Sequence, residues 1–125
     1  MADWKKLAKA LVLADGVIEE RETEIIKREL LADRKIDREE AEFLLELRAE
    51  ARRAHDKFHA FVFQVVKKVL LEDGALTARE ARWLEQFILT DGRVDERERQ
   101  LLRELKAESL STGDEFDALY RKYVR

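Results

Sequence analysis

An acidic octet that recurs four times is the feature of this sequence that most limits its possible folds. Each copy opens with Asp followed by Gly (Arg in one copy), has an apolar residue at the fourth position and ends in Glu. The copies begin at Asp15, Asp33, Asp73 and Asp91. The members of each pair are 18 residues apart, and the two pairs are offset by 58 residues. This spacing predicts a duplicated unit, with internal repeats at about 3–53 and 61–110.

Within each octet the residue order predicts that one helix ends and the next begins at once. Glycine adopts positive φ without steric penalty, which suits the position just after a helix C-terminus. The apolar residue can pack under the following helix, and the next residue can serve as its N-cap. A Glu three positions after the cap completes a capping box at Asp37, Thr77 and Asp95, and a weaker version at Glu19.

The composition and the apolar spacing predict an all-α fold. The chain of 125 residues has no proline and only four glycines, and it is long enough for one domain with its own core. Apolar residues at helical spacing predict helices at about 4–14, 20–32, 57–72, 78–90 and 96–108, one from 38 to a bend near 54–57, and one after Ser111–Glu115. We therefore expect a single domain over 1–125, a compact seven-helix bundle of two three-helix units plus a C-terminal helix.

Charge and composition argue against several function classes. Charged residues make up 42% of the chain, yet the formal net charge is only −3, so no nucleic-acid-binding or anionic-membrane surface is indicated. The absence of cysteine removes thiolate catalysis, disulfides and Cys-based zinc sites. No apolar run approaches membrane-spanning length and no signal peptide is recognisable, which favours a cytoplasmic protein. Without a catalytic triad or a phosphate-binding glycine pattern, we expect no enzyme.

The octet also matches the second half of an EF-hand calcium loop, Asp-Gly-x-apolar-x-x-x-Glu. The first half fails, because the first ligand positions of that loop fall on mostly apolar residues such as Leu11 and Leu13. One octet cannot supply the six to eight oxygens that calcium prefers, so a classical EF-hand is excluded. Two interpretations stay open: the carboxylates only cap helices, or converging octets bind a divalent cation such as calcium weakly. The candidate cation ligands are Asp15, Glu19, Glu22, Asp91, Asp95 and Glu98.

Two further groups of side chains are candidates for function. His55 and His59 are one helical turn apart, which is half of a zinc site, but no third ligand is evident and an ordinary structural role is the alternative. Phe63 falls outside the apolar stripe of its helix, so we expect it to be exposed. Tyr120 and Tyr123 lie on one face of the last predicted helix. That helix lies outside the duplication, and either it covers an open flank of the domain or it forms a partner or homodimer surface.

The repeated signature resembles that of the tellurite-resistance TerB family, an all-helical bacterial domain. Leu13-Ala14-Asp15-Gly16-Val17-Ile18 through Glu22 and Leu89-Thr90-Asp91-Gly92-Arg93-Val94 through Glu98 carry the resemblance. It implies a compact bundle of about seven helices, a link to stress responses against toxic oxyanions and membrane-linked, metal-related assemblies, and an acidic surface for divalent cations. Together with the residues, it predicts a non-enzymatic interaction module with an unidentified protein partner. A weak cation-binding protein and a purely structural scaffold are the alternatives.

Overall fold

The computed structural model describes residues 6, 9–10, 14, 16–31, 36–89 and 94–124. This part of the chain is mostly helical, and the all-α prediction is confirmed at that level. It contains six helices and four two-residue strands. The helices are α1 (Glu20–Leu31), α2 (Arg38–Glu50), α3 (Asp56–Leu70), α4 (Ala78–Phe87), α5 (Glu96–Glu108) and α6 (Asp114–Tyr123). The strands are β1 (Val17–Ile18), β2 (Arg53–Ala54), β3 (Ala75–Leu76) and β4 (Ser111–Thr112).

The helix boundaries follow the local signals in the sequence. The predicted bend near 54–57 is present, because α2 ends at Glu50 and α3 begins at Asp56. Of the predicted first helix, the described residues Lys6, Lys9, Ala10 and Ala14 are helical, and the rest lies outside the described residues. The seventh helix is therefore not part of the description.

The helix-breaking glycines behave as the octet predicts at the two copies where they are described. Gly16 has φ +74° and Gly74 has φ +79°, the left-handed region that favours glycine. In both copies a two-residue strand follows directly, and then a helix. Arg34 and Gly92, the corresponding residues of the other two octets, lie outside the described residues.

Two short parallel ladders are the part of the fold that helical periodicity did not predict. Strand β1 pairs with β2 (Val17 with Arg53, Ile18 with Ala54), and β3 pairs with β4 (Ala75 with Ser111, Leu76 with Thr112). Every residue of the second ladder is 58 positions after its counterpart in the first. The flanking hydrogen bonds repeat the offset. The amide of Arg52 donates to the carbonyl of Gly16, and that of Leu110 donates to the carbonyl of Gly74, both at 2.6 Å.

Two compact units divide the chain, Met1–Val66 and Lys67–Arg125. Within the first, Ile18, Leu30, Leu44, Leu47 and Phe58 are fully buried. Within the second, Leu76, Leu84, Leu102, Leu105 and Phe116 are fully buried. Each core therefore combines a ladder residue with one face of each helix, which buries the apolar stripes that made those helices recognisable. The predicted repeat boundaries and single-domain organisation stay predictions.

The C-terminal helix differs from its prediction in two ways. It was expected to lie outside the 58-residue correspondence, but α3 and α6 begin at Asp56 and Asp114, which are 58 residues apart, and Phe58 and Phe116 are both fully buried. A capping box from Thr112 to Glu115 was also expected and is wrong. The N-cap is Gly113, and the Thr112 hydroxyl instead donates to Asp117 Oδ1 at 2.8 Å.

Candidate functional site

The predicted cation ligands of the first octet take part in helix capping where they are described. The Glu19 amide donates to Glu22 Oε1 at 3.0 Å, and the Glu19 carbonyl accepts from the hydroxyl of the buried Thr23 at 2.9 Å. The Glu22 carboxylate therefore reaches back along its own helix rather than towards a shared centre. Asp15 lies outside the described residues.

The fourth octet uses its carboxylates in the same way. Asp95 Oδ1 accepts from the Glu98 amide at 2.8 Å, while Glu98 Oε1 accepts from the Asp95 amide at 3.0 Å, a reciprocal capping box. Glu98 is only 8% exposed, so it has little freedom to turn towards an ion. Asp91 lies outside the described residues. Among the residues that the structure describes, no three His, Asp or Glu side chains group closely enough to hold a metal ion.

The two histidines use their Nδ1 atoms in different local contacts. His55 Nδ1 accepts from the Lys57 amide at 3.0 Å, so this imidazole caps the start of α3. His59 Nδ1 accepts from Arg48 Nε at 2.9 Å. The nitrogen atoms thus point to two separate partners rather than to one ligand position, although the spacing of the two residues suggested half of a zinc site.

Phe63 is buried, and the expectation of an exposed aromatic ring there is wrong. Only 9% of the residue is exposed, and the Arg48 guanidinium lies over its ring at 4.8 Å from the centroid. Arg48 therefore joins His59 and Phe63 across two helices. Sequence reasoning missed this residue, because nothing in the local pattern of α2 shows that it faces the aromatic side chains of α3.

The two tyrosines of α6 lie where its apolar face changes from buried to exposed. Phe116 is fully buried and Leu119 is 6% exposed, whereas Tyr120 and Tyr123 are both partly exposed. The Tyr120 ring lies 6.4 Å from the Phe116 ring, so the aromatic stripe runs outward along the helix. Since α6 packs against α4 and α5, the expectation that this helix covers a flank holds for its first two turns.

Lysine side chains lie on both tyrosine rings. Lys106 Nζ is 4.4 Å from the Tyr120 ring centroid, and Lys122 Nζ is 5.2 Å from that of Tyr123. Both lysines are exposed, and neither forms an ion pair with a carboxylate of a described residue. We call these four residues (Lys106, Tyr120, Lys122 and Tyr123) the aromatic–lysine surface. Sequence analysis found its tyrosines by their spacing but missed Lys106, because that residue belongs to another helix.

The other described lysines with ion pairs contrast with this surface. Lys67 Nζ lies 2.8 Å from both Glu104 Oε1 and Glu108 Oε2, and Lys57 Nζ lies 2.5 Å from Glu20 Oε1. The paired carboxylates raise the pKa of Lys67, and Lys67 holds the pKa of Glu104 below its usual value. These lysines have their charge compensated within the chain. The lysines on the tyrosine rings do not.

No family model, no curated protein and no solved structure matches this chain. In the described part of the chain, no helix has the length and apolar character needed to cross a membrane. The class of protein that the fold and the site define is therefore a mostly helical one with a partly exposed aromatic–lysine surface on its last helix.

Proposed function

We propose that this protein is a non-enzymatic interaction module that binds a protein partner through the aromatic–lysine surface. The observation that carries the proposal is the open end of the apolar stripe on α6. Tyr120 and Tyr123 present partly exposed rings beside a core that has already covered Phe116 and Leu119. Tyrosine is enriched at protein interfaces, since it offers a large apolar area and a hydroxyl with little loss of side-chain entropy on binding.

The architecture that we propose for the module is a duplication with a 58-residue offset, in seven helices. The offset ladders support it, and so do equivalent buried positions such as Phe58 and Phe116. An ion pair repeats as well. Lys9 Nζ lies 3.6 Å from Glu46 Oε1, and the residues 58 positions later are Lys67 and Glu104. Independent origins would not explain why backbone pairing, core positions and a surface charge pair all share one offset.

We further propose that the module is TerB-like and takes part in a metal or tellurite stress response. The octets at Asp15 and Asp91, which carry the resemblance, support this. The observed roles of the described carboxylates favour capping over cation binding, so the cation-binding alternative depends on Asp15 and Asp91. A structural scaffold is the alternative in which the two tyrosines bind nothing.

A display selection on the full chain tests the binding proposal. Random 12-residue peptides would be selected on the wild type and counter-selected on the Tyr120→Ala/Tyr123→Ala variant. We expect enriched peptides whose binding falls at least tenfold in that variant and is unchanged by Leu110→Ala. Leu110 is the matched control, because it is the large apolar side chain of the described residues that is most exposed, at 87%. Peptides that bind both proteins equally, or no enrichment, would overturn the proposal.

A further inference from the structure

The partner's chemistry follows from the charges around the two tyrosines, and this inference rests on the proposed function. Lys106 and Lys122 are positive, exposed and placed on the rings that would be covered by a partner. A partner that covers these rings removes water from both ammonium groups. Removing water from an unpaired charge is unfavourable unless the partner supplies an opposite charge or hydrogen-bond acceptors.

The remainder of the chain does not supply that charge. Among the described residues, Lys67, Lys57, Arg82 and Arg103 each lie within ion-pair distance of a carboxylate, whereas Lys106 and Lys122 lie on aromatic rings. A cation on an exposed ring contributes only about 0.5–1 kcal/mol, so these lysines can move to a better partner at small cost. Arg121, between the two tyrosines in sequence, is exposed and also forms no ion pair with a described residue.

We propose that the aromatic–lysine surface binds an acidic peptide segment in which apolar side chains alternate with Asp or Glu. The apolar side chains would contact the Tyr120 and Tyr123 rings, and the carboxylates would accept hydrogen bonds from Lys106 and Lys122. Nucleic acid is the less suitable polyanion. Asp114, Glu115 and Asp117 occupy the first turn of the same helix and would repel a continuous phosphate backbone. A short segment with spaced carboxylates avoids that repulsion.

Fluorescence anisotropy with the full chain tests this proposal. The probes are a fluorescein-labelled 12-residue peptide of alternating Leu and Glu, the same peptide with Gln in place of Glu, and a labelled oligothymidylate of equal length. We expect the Glu peptide to bind at least tenfold more tightly than the Gln peptide. Its affinity should fall at least tenfold in Lys106→Gln/Lys122→Gln and should also fall as the salt concentration rises. Lys68→Gln is the control, since Lys68 is an exposed lysine of α3, and it should leave affinity unchanged.

The outcomes separate this inference from the proposed function. Equal binding of the Glu and Gln peptides, lost in Tyr120→Ala/Tyr123→Ala, would overturn the acidic partner and leave the interaction module standing. Tighter binding of oligothymidylate than of the Glu peptide would also overturn it. If no probe binds, while display selection yields tyrosine-dependent peptides without acidic residues, the inference again fails and the proposed function survives. Circular dichroism of each variant establishes that lost binding is not lost folding.

Discussion

Leu110 lies directly over Gly74. Its amide donates to the Gly74 carbonyl at 2.6 Å, and its Cδ1 would be 2.7 Å from a Cβ atom placed on that glycine. The corresponding pair in the first unit is Arg52 and Gly16, where the same backbone hydrogen bond is 2.6 Å but the nearest atom to such a Cβ would be 3.4 Å away. The backbone arrangement is thus repeated, while the side-chain crowding is specific to the second unit.

The first prediction concerns this contact. Gly74→Ala should lower the free energy of unfolding by about 1–2 kcal/mol, because alanine is strained at φ +79° and its methyl group displaces Leu110. Leu110→Ala alone should change stability little, since the side chain is 87% exposed. In the Leu110→Ala background, Gly74→Ala should retain only the backbone part, roughly 1 kcal/mol. Urea unfolding of the four proteins measures this, and equal effects in both backgrounds would exclude a role for crowding.

The second prediction concerns the two reciprocal capping boxes. Asp37→Ala and Asp95→Ala should each destabilise the protein by about 1 kcal/mol, because each removes the acceptor for the amide three residues on. Asp37→Asn and Asp95→Asn are the controls and should have small effects, since asparagine caps helices about as well as aspartate. Thermal unfolding measures all four variants. An Asn substitution as damaging as Ala would show that the aspartate charge, not the cap, matters there.

The third prediction concerns the ion pair of Lys67 with Glu104 and its dependence on pH. Lys67 holds the pKa of Glu104 below its usual value, so this pair's stabilisation is present above the carboxyl pKa of the unfolded chain. It should be lost as the pH falls through the pKa of the folded state. The pKa of Lys67 is raised, so the stabilisation should also be lost in strong alkali, as the pH rises through the folded pKa.

A comparison of Lys67→Met with wild type checks this dependence. The variant should be less stable near neutral pH by less than about 1 kcal/mol, because the carboxylates are substantially exposed. The difference should shrink in acid as Glu104 becomes protonated. Lys68→Met serves as the neighbouring control and should show no such pH-dependent difference. If the effect of Lys67→Met stays constant from neutral to acidic pH, the lost contact is one of packing rather than charge.

The fourth prediction concerns the proposed duplication. Phe58→Leu and Phe116→Leu should each destabilise the protein by roughly 1 kcal/mol, since both rings are fully buried at positions 58 residues apart. Tyr123→Leu is the surface comparison and should have a smaller effect, because Tyr123 is partly exposed. Calorimetric unfolding measures these differences. A large effect at one phenylalanine and none at the other would argue against equivalent roles.

Sequence periodicity predicted the helices well because it records local physics. Capping residues, positive-φ glycines and apolar residues at helical spacing act within one or two turns. This is why the helix starts at Arg38, Ala78 and Glu96 and the break between α2 and α3 were recognisable. The candidate site was predictable only in part. Tyr120 and Tyr123 share a helix face in the sequence, but Lys106 reaches Tyr120 from α5.

The sequence by itself determined where helices begin and end and which octet residues turn the chain, because these depend on φ and on hydrogen bonds between near neighbours. Only the tertiary structure decided the pairing of Val17 with Arg53 and of Ala75 with Ser111, the burial of Phe63 beneath Arg48, and the joint use of Glu104 and Glu108 by Lys67. Each of these contacts joins segments well separated in the chain. Local periodicity cannot specify such contacts, because they form only when the packing of whole helices brings the segments together.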